Sequence, residues 1–203
     1  MVALDFQEQY WGDIGQHPQI YDFYMALNEP GPKGDIFRAL ADLTDQRDEH
    51  GNIIVGDSYI SQNITVKDSV LINVALTGQG RIEHSVLIGT RVGNIDMENG
   101  FDVLSTATSL QVSSRGGTYK VVSDVPVSVA EGERVTTLFM PTHGTHLMRV
   151  HEHTNLRDTT ATYDVPICGN PVSFKDAHED MGRITVEALA QVRGAKLPSS
   201  THT

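Results

Sequence analysis

The stretch that decides the fold runs from Gly51 to Asp96, "GNIIVGDSYISQNITVKDSVLINVALTGQGRIEHSVLIGTRVGNID". Ile64, Val70, Leu76, Ile82 and Ile88 fall at every sixth position, and a second phase of Ile54, Ile60, Val66 and Ile72 runs beside them. "DSYI", "DSVLI" and "HSVLIG" recur as near-copies at Asp57, Asp68 and His84. An aliphatic residue at each sixth position, with small or polar residues between, is the hexapeptide pattern of a parallel β-helix. Each short strand forms one side of a coil, the aliphatic side chain points inward, and stacked coils build aliphatic ladders. An antiparallel sheet with period two explains the near-copies poorly. The expected fold is therefore mainly β: a left-handed parallel β-helix of hexapeptide repeats, with a short helical N-terminal remnant and an additional β-rich region.

Outward from these coils the texture changes. Residues 1–46 read as helical. "QIYDFYMALN" (19–28) sets Ile20, Tyr24 and Leu27 at helical spacing, and "KGDIFRALADL" (33–43) sets Ile36, Phe37, Leu40 and Leu43 on one face. "NEPGPKGD" links them, and Asp35 is the expected N-cap of the second helix. The coils are assigned to 47–96. Residues 97–178 lose the six-residue repeat but keep short alternating runs, "FDVLST", "SLQVSS", "TYKVVS", "VPVSV", "RVTTLFM" and "HLMRVHEH", with "AEGE" (130–133) as a tight turn. This region either extends the coils irregularly or forms a separate antiparallel sheet. Residues 179–203 hold a helix candidate, "ITVEALAQVRG" (184–194), and a polar tail.

The chain has 203 residues, 39% hydrophobic and 20% charged, enough for a packed core. Its 26 acidic against 15 basic residues give a net charge of −11, which repels nucleic-acid phosphates and argues against an anionic membrane surface. No apolar run has the length of a spanning helix. "MVALDFQEQYW" lacks the basic and apolar regions of a signal peptide, so a soluble cytoplasmic protein is expected. Cys168 is the single cysteine, which excludes an internal disulfide and a thiolate metal cage.

Two clusters carry candidate chemistry. "YWGDIG" (10–15) places Asp13 where a strand end turns into a helix, and a carboxylate there suits magnesium. "PTHGTHLMRVHEHTNLRD" (141–158) packs His143, His146, His151 and His153 into eleven residues. On a strand, His151 and His153 share a face while Glu152 faces the other way. The histidines suit zinc; with Arg149 and Arg157 they suit an anionic phosphate ligand; a solvated β edge is the third possibility. His84 lies within the coils and would be the one histidine available to a hexapeptide acyltransferase.

Taken together, "YWGDIG", an aromatic-rich "YDFYMALN", a short linker and hexapeptide coils follow the order of a known family. The chain resembles the sugar-1-phosphate nucleotidyltransferases with a C-terminal left-handed β-helix, such as the glucose-1-phosphate adenylyltransferases, over residues 8–95. In that family a late W-x-D-x-G segment closes the catalytic domain and its acid holds catalytic magnesium. By that resemblance Asp13 takes the magnesium position and Trp11 and Gly15 the flanking substrate-binding positions, while Gln16 stands where the family often has Thr. The family's Gly-rich phosphate loop, with its Arg and second metal-binding Asp, has no counterpart. The resemblance therefore implies a C-terminal oligomerisation or regulatory region, inactive alone. It would associate with itself through the β-helix and respond to a sugar phosphate or nucleotide sugar. A histidine-metal enzyme, a hexapeptide acyltransferase and a non-catalytic sugar-phosphate-binding module are the alternatives.

Overall fold

The computed structural model describes residues 17–182; the expectations at Trp11, Asp13, Gly15 and Gln16 and the 184–194 helix lie outside them. The described residues divide into two compact units, one of residues 17–137 and 148–154 and one of 138–147 and 155–182.

The first unit is a parallel β-solenoid of about five turns. Two helices lead into it, α1 (His17–Met25) and α2 (Pro32–Leu40). The strands follow in chain order: β1 (Ile53–Val55), β2 (Tyr59–Ile60), β3 (Ile64–Lys67), β4 (Val70–Ile72), β5 (Ala75–Leu76), β6 (Gly80–Glu83), β7 (Val86–Ile88), β8 (Arg91–Glu98) and β9 (Phe101–Val103). The last are β10 (Thr106–Val112), β11 (Gly117–Tyr119), β12 (Val122–Ser123), β13 (Val127–Val129), β14 (Glu133–Met140) and β15 (Gly144–His151). One sheet has the order β1-β4-β7-β9-β11-β14-β15; the other two sides of each coil form the second sheet. The coils do not stop at residue 96: the region after it supplies further turns in the same register through β14. "AEGE" is a tight turn, closed by Glu133 N–H donating to Ala130 O at 3.1 Å.

Register shows which residues line the interior. Ile54, Leu71, Leu87, Asp102, Thr118 and Val135 stand in one column. Ile60, Leu76, Val92, Ala107 and Ser123 form a second, and Val66, Ile82, Met97, Val112 and Val129 a third. The six-residue step of Ile54, Ile60 and Val66 thus traces the first coil's interior, but the following rungs, Leu71, Leu76, Ile82, Leu87, Val92 and Met97, come mostly at steps of five. Coils consequently stack at 15 to 17 residues, as in Val86 opposite Phe101 and Ile53 opposite Val70. Of the other six-residue phase, Leu76 and Ile82 are interior, whereas Val70 and Ile88 lie on the opposite side of their strands, in the core shared with the helices. Both sides of the first sheet are buried, so hydrophobicity alone does not mark the inward face.

Corners are made by left-handed residues repeated once per coil. One series is Gly51, Asp68, His84, Asn99, Arg115 and Gly132; the other is Gly56, Asn73, Gly89, Leu104 and Lys120. Glycine and asparagine take this conformation cheaply; His84, Leu104, Arg115 and Lys120 take it at a cost of about 1 kcal/mol each. The stacked ladder hydrogen bonds on both sides of every corner hold them there.

The helices pack on the outer side of the first sheet. Tyr21, Met25, Ala26, Leu27 and Phe37 form one core with Ile53, Val70, Val86, Phe101 and Val103. Helix α2 is turned differently from the sequence expectation. Its N-cap is Gly31 with Pro32 following, and Asp35 sits inside the helix, paired to Arg38 at 2.7 Å. Ile36 and Leu40 are exposed, Leu40 at 79%, and Arg38 is buried at 2%. The physical reason is that Arg38 Nη1 donates to Leu27 O and Glu29 O, the carbonyls left open where α1 ends. A guanidinium with those partners is better placed inside than a second aliphatic residue.

The second unit holds the tip joining β14 to β15, a π-helical turn (Thr159–Tyr163) capped by Asp158, and α3 (Phe174–Gly182). Among the described residues no helix is long and apolar enough to cross a membrane.

Candidate functional site

The densest polar cluster stands where α1 meets the later coils. The outer column of the first sheet reads Ile53, Val70, Val86, Phe101, Gly117 and Arg134. Gly117 is there because any Cβ would collide with the Phe101 ring. Phe101 stacks on Tyr24 at 4.9 Å, and the Arg134 guanidinium lies 5.4 Å from its centroid. Arg115, from the corner series, lies 4.4 Å from the Tyr21 ring centre. Glu152 bridges the two cations: Arg115 donates Nε and Nη2 at 2.9 and 3.0 Å, and Arg134 donates Nη2 at 3.2 Å. Tyr21 donates its hydroxyl to Asn99 Oδ1 at 2.7 Å, and Asn99 Nδ2 donates to Ser114. The Arg115 hydrogen bond holds the Glu152 carboxyl below the usual range, and burial pushes the Tyr21 phenol up. The arginines spend their charge on Glu152 and on ring faces, so the cluster works as a joint between helix and solenoid.

Inside the solenoid one column carries an acid. Asp102 is fully buried and accepts hydrogen bonds from Thr90, Thr118 and Ser105 hydroxyls. Burial pushes its pKa up, and the three hydroxyls only partly offset that. Nothing in "FDVLST" marks Asp102 as interior, because the stretch has the pattern of an ordinary alternating strand.

In the second unit, Asp180 of α3 clamps the β14–β15 tip. It is buried, and accepts Thr142 N–H at 2.9 Å, the Thr142 hydroxyl at 2.7 Å and His143 Nδ1 at 3.2 Å. These bonds lower its pKa to about 2, against the opposing effect of desolvation. With Nδ1–H held by Asp180, His143 Nε2 is the basic nitrogen, and its ring is partly exposed. No hydroxyl or thiol is bonded to Nε2 among the described residues, so the pair can accept a proton but lacks a nucleophile to take it from.

The four histidines expected to act together are divided. His143 and His146 belong to the second unit, His151 and His153 to the first. β15 ends at His151, and His153 lies in the following turn, with the two rings 5.2 Å apart. No group of three metal-ligating side chains occurs among the described residues. Arg149 donates to Glu133 at 2.8 Å and Ser128 O at 2.9 Å, while Arg157 is exposed in the second unit. His84 occupies a corner, 3.7 Å from Asp68. Cys168 is free and exposed. Glu152 lies in the turn after β15, so no period of the sequence marks it as the partner of Arg115 and Arg134.

Comparison with protein-family models, with curated proteins and with solved structures finds no match for this chain.

Proposed function

We propose that the chain is a non-catalytic assembly module of the sugar-1-phosphate nucleotidyltransferase type, in which helices ahead of a solenoid fix it to neighbouring structure. One observation carries the reading: α1 and α2 share a single core with β1, β4, β7 and β9. A helical segment welded to the flank of a solenoid, in the order helix, linker, coils, is what the resemblance implies for a C-terminal oligomerisation or regulatory region. The Arg115–Arg134–Glu152 joint, in which one carboxylate is shared by two guanidiniums that also lie against aromatic rings, supports a structural rather than catalytic use of this polar cluster. In this reading the module associates with itself and answers to a sugar phosphate or nucleotide sugar. Light scattering for molar mass, with thermal shift against a panel of those ligands, tests it. A monomer whose melting no member of the panel moves overturns the reading.

A further inference from the structure

One amide in the joint stands in a reactive dipeptide. Asn99–Gly100 is the single Asn–Gly pair in the sequence. Glycine has no Cβ to shield its nitrogen, so the backbone nitrogen after such an asparagine can reach the side-chain amide carbon. The fold withholds both reactants. Tyr21 Oη donates to Asn99 Oδ1 at 2.7 Å, Asn99 Nδ2 donates to Ser114 Oγ at 3.0 Å, and Gly100 N–H donates to Ser85 Oγ at 3.3 Å. Asn99 sits half-buried in a left-handed corner. Its backbone is pinned between coils, with Asn99 N–H donating to Glu83 O at 2.9 Å and Arg115 N–H to Asn99 O at 2.8 Å. Of the holders of the amide and the Gly100 nitrogen, only Tyr21 comes from outside the coils. Helix α1 has nine residues, too few to persist alone in water, so it stays by packing on the first sheet. The coils are laced by continuous parallel ladders, and a short element packed on one face opens before such a ladder does.

We propose that Asn99 is a deamidation site gated by α1, shut while Tyr21 holds its amide and open when the helix lifts. In the open form the Gly100 nitrogen loses its proton to hydroxide and bonds to Asn99 Cγ. The side-chain nitrogen takes a proton from water and leaves as ammonia, giving a five-membered succinimide. Water then opens either of the ring's carbonyl–nitrogen bonds. Amide plus water has become acid plus ammonia, with no redox change. Opening one way gives aspartate at position 99. The corner accepts it, since aspartate also takes left-handed backbone, and the Tyr21 and Ser114 hydroxyls can both donate to a carboxylate. Opening the other way carries the main chain through the former side chain and lengthens it by one atom. That displaces the ladder bonds to Glu83 and Arg115, so the isoaspartyl form does not reseat. Lifting of α1 is thereby recorded as a permanent covalent mark. The site stands whether or not the chain assembles with itself.

Peptide mapping of the full chain, incubated in mildly alkaline buffer, is the test. Asn99 is expected to deamidate about tenfold or more slowly in the native chain than in concentrated urea. Tyr21→Phe is expected to speed the native rate about fivefold, the effect of one lost hydrogen bond on an opening equilibrium, and to leave the rate in concentrated urea unchanged. In the wild type, urea too dilute to change the β-sheet circular dichroism is expected to raise the rate already, and this series decides the matter if Tyr21→Phe does not fold. A native rate equal to the denatured one overturns the proposal. So does a folded Tyr21→Phe chain that deamidates at the wild-type rate, or a wild-type rate that rises only as the β-sheet signal is lost.

Discussion

On the inner side of the first sheet, Asp102 occupies a rung between Leu87 and Thr118; beyond its outer side, Glu152 lies against Arg115 and Arg134. Both carboxyls are buried, and their ionisation moves in opposite directions. Asp102 has only neutral hydroxyls, so desolvation dominates and its acid form is favoured. Glu152 is less deeply desolvated and has two guanidiniums, the Arg115 hydrogen bond foremost, so its charged form is favoured. Depth of burial and the charge of the partner together set the sign.

The largest break in this comparison is expected on the outer side. Phe101→Ala removes the ring packed between Tyr24, Tyr21 and Arg134, and costs about 4 kcal/mol in denaturant unfolding. Glu152→Ala leaves Arg134 buried beside Arg115 without their shared acid, and costs about 3 kcal/mol. Because the folded pKa of Glu152 is depressed, its stabilisation is present above the ordinary carboxylate range and is lost as pH falls through the folded value. The variant therefore differs most from wild type at neutral pH and least in strong acid.

Asp102→Asn sharpens the comparison with the opposite sign. The folded pKa of Asp102 is raised, so its contribution is fully present below the ordinary carboxylate range and is lost as pH rises through the folded value. Thermal melts are expected to show the variant gaining on wild type at about pH 8 and losing that advantage by about pH 4. A variant less stable than wild type at both would mean the three hydroxyls hold the carboxylate better than burial penalises it. The smallest effect is expected for Tyr21→Phe, about 1 kcal/mol, from loss of the hydroxyl bond to Asn99 while the ring keeps its place under Arg115.

Much of the fold was legible because its driving residues are local. The aliphatic spacing of Ile54, Ile60 and Val66, the helical spacing of Ile20, Tyr24 and Leu27, and the Gly132 turn each act over a few residues. The candidate site was less legible. His143 and His151 looked alike in sequence, yet one is bonded to Asp180 and the other ends a strand. The Glu152 joint joins residues 37 and 18 positions apart, a separation fixed only when coils stack.

The sequence by itself determined that the chain coils and that two helices precede the coils, since hydrophobic period is a property of neighbours along the chain. Only the tertiary structure decided which aliphatic residues face in. Both sides of the first sheet are covered, one by the opposite coil walls and one by α1 and α2, so period six could not tell Val70 from Leu71. It also decided that Asp102 is inside and Glu152 paired, because the partners of a buried charge come from other coils, chosen by stacking register.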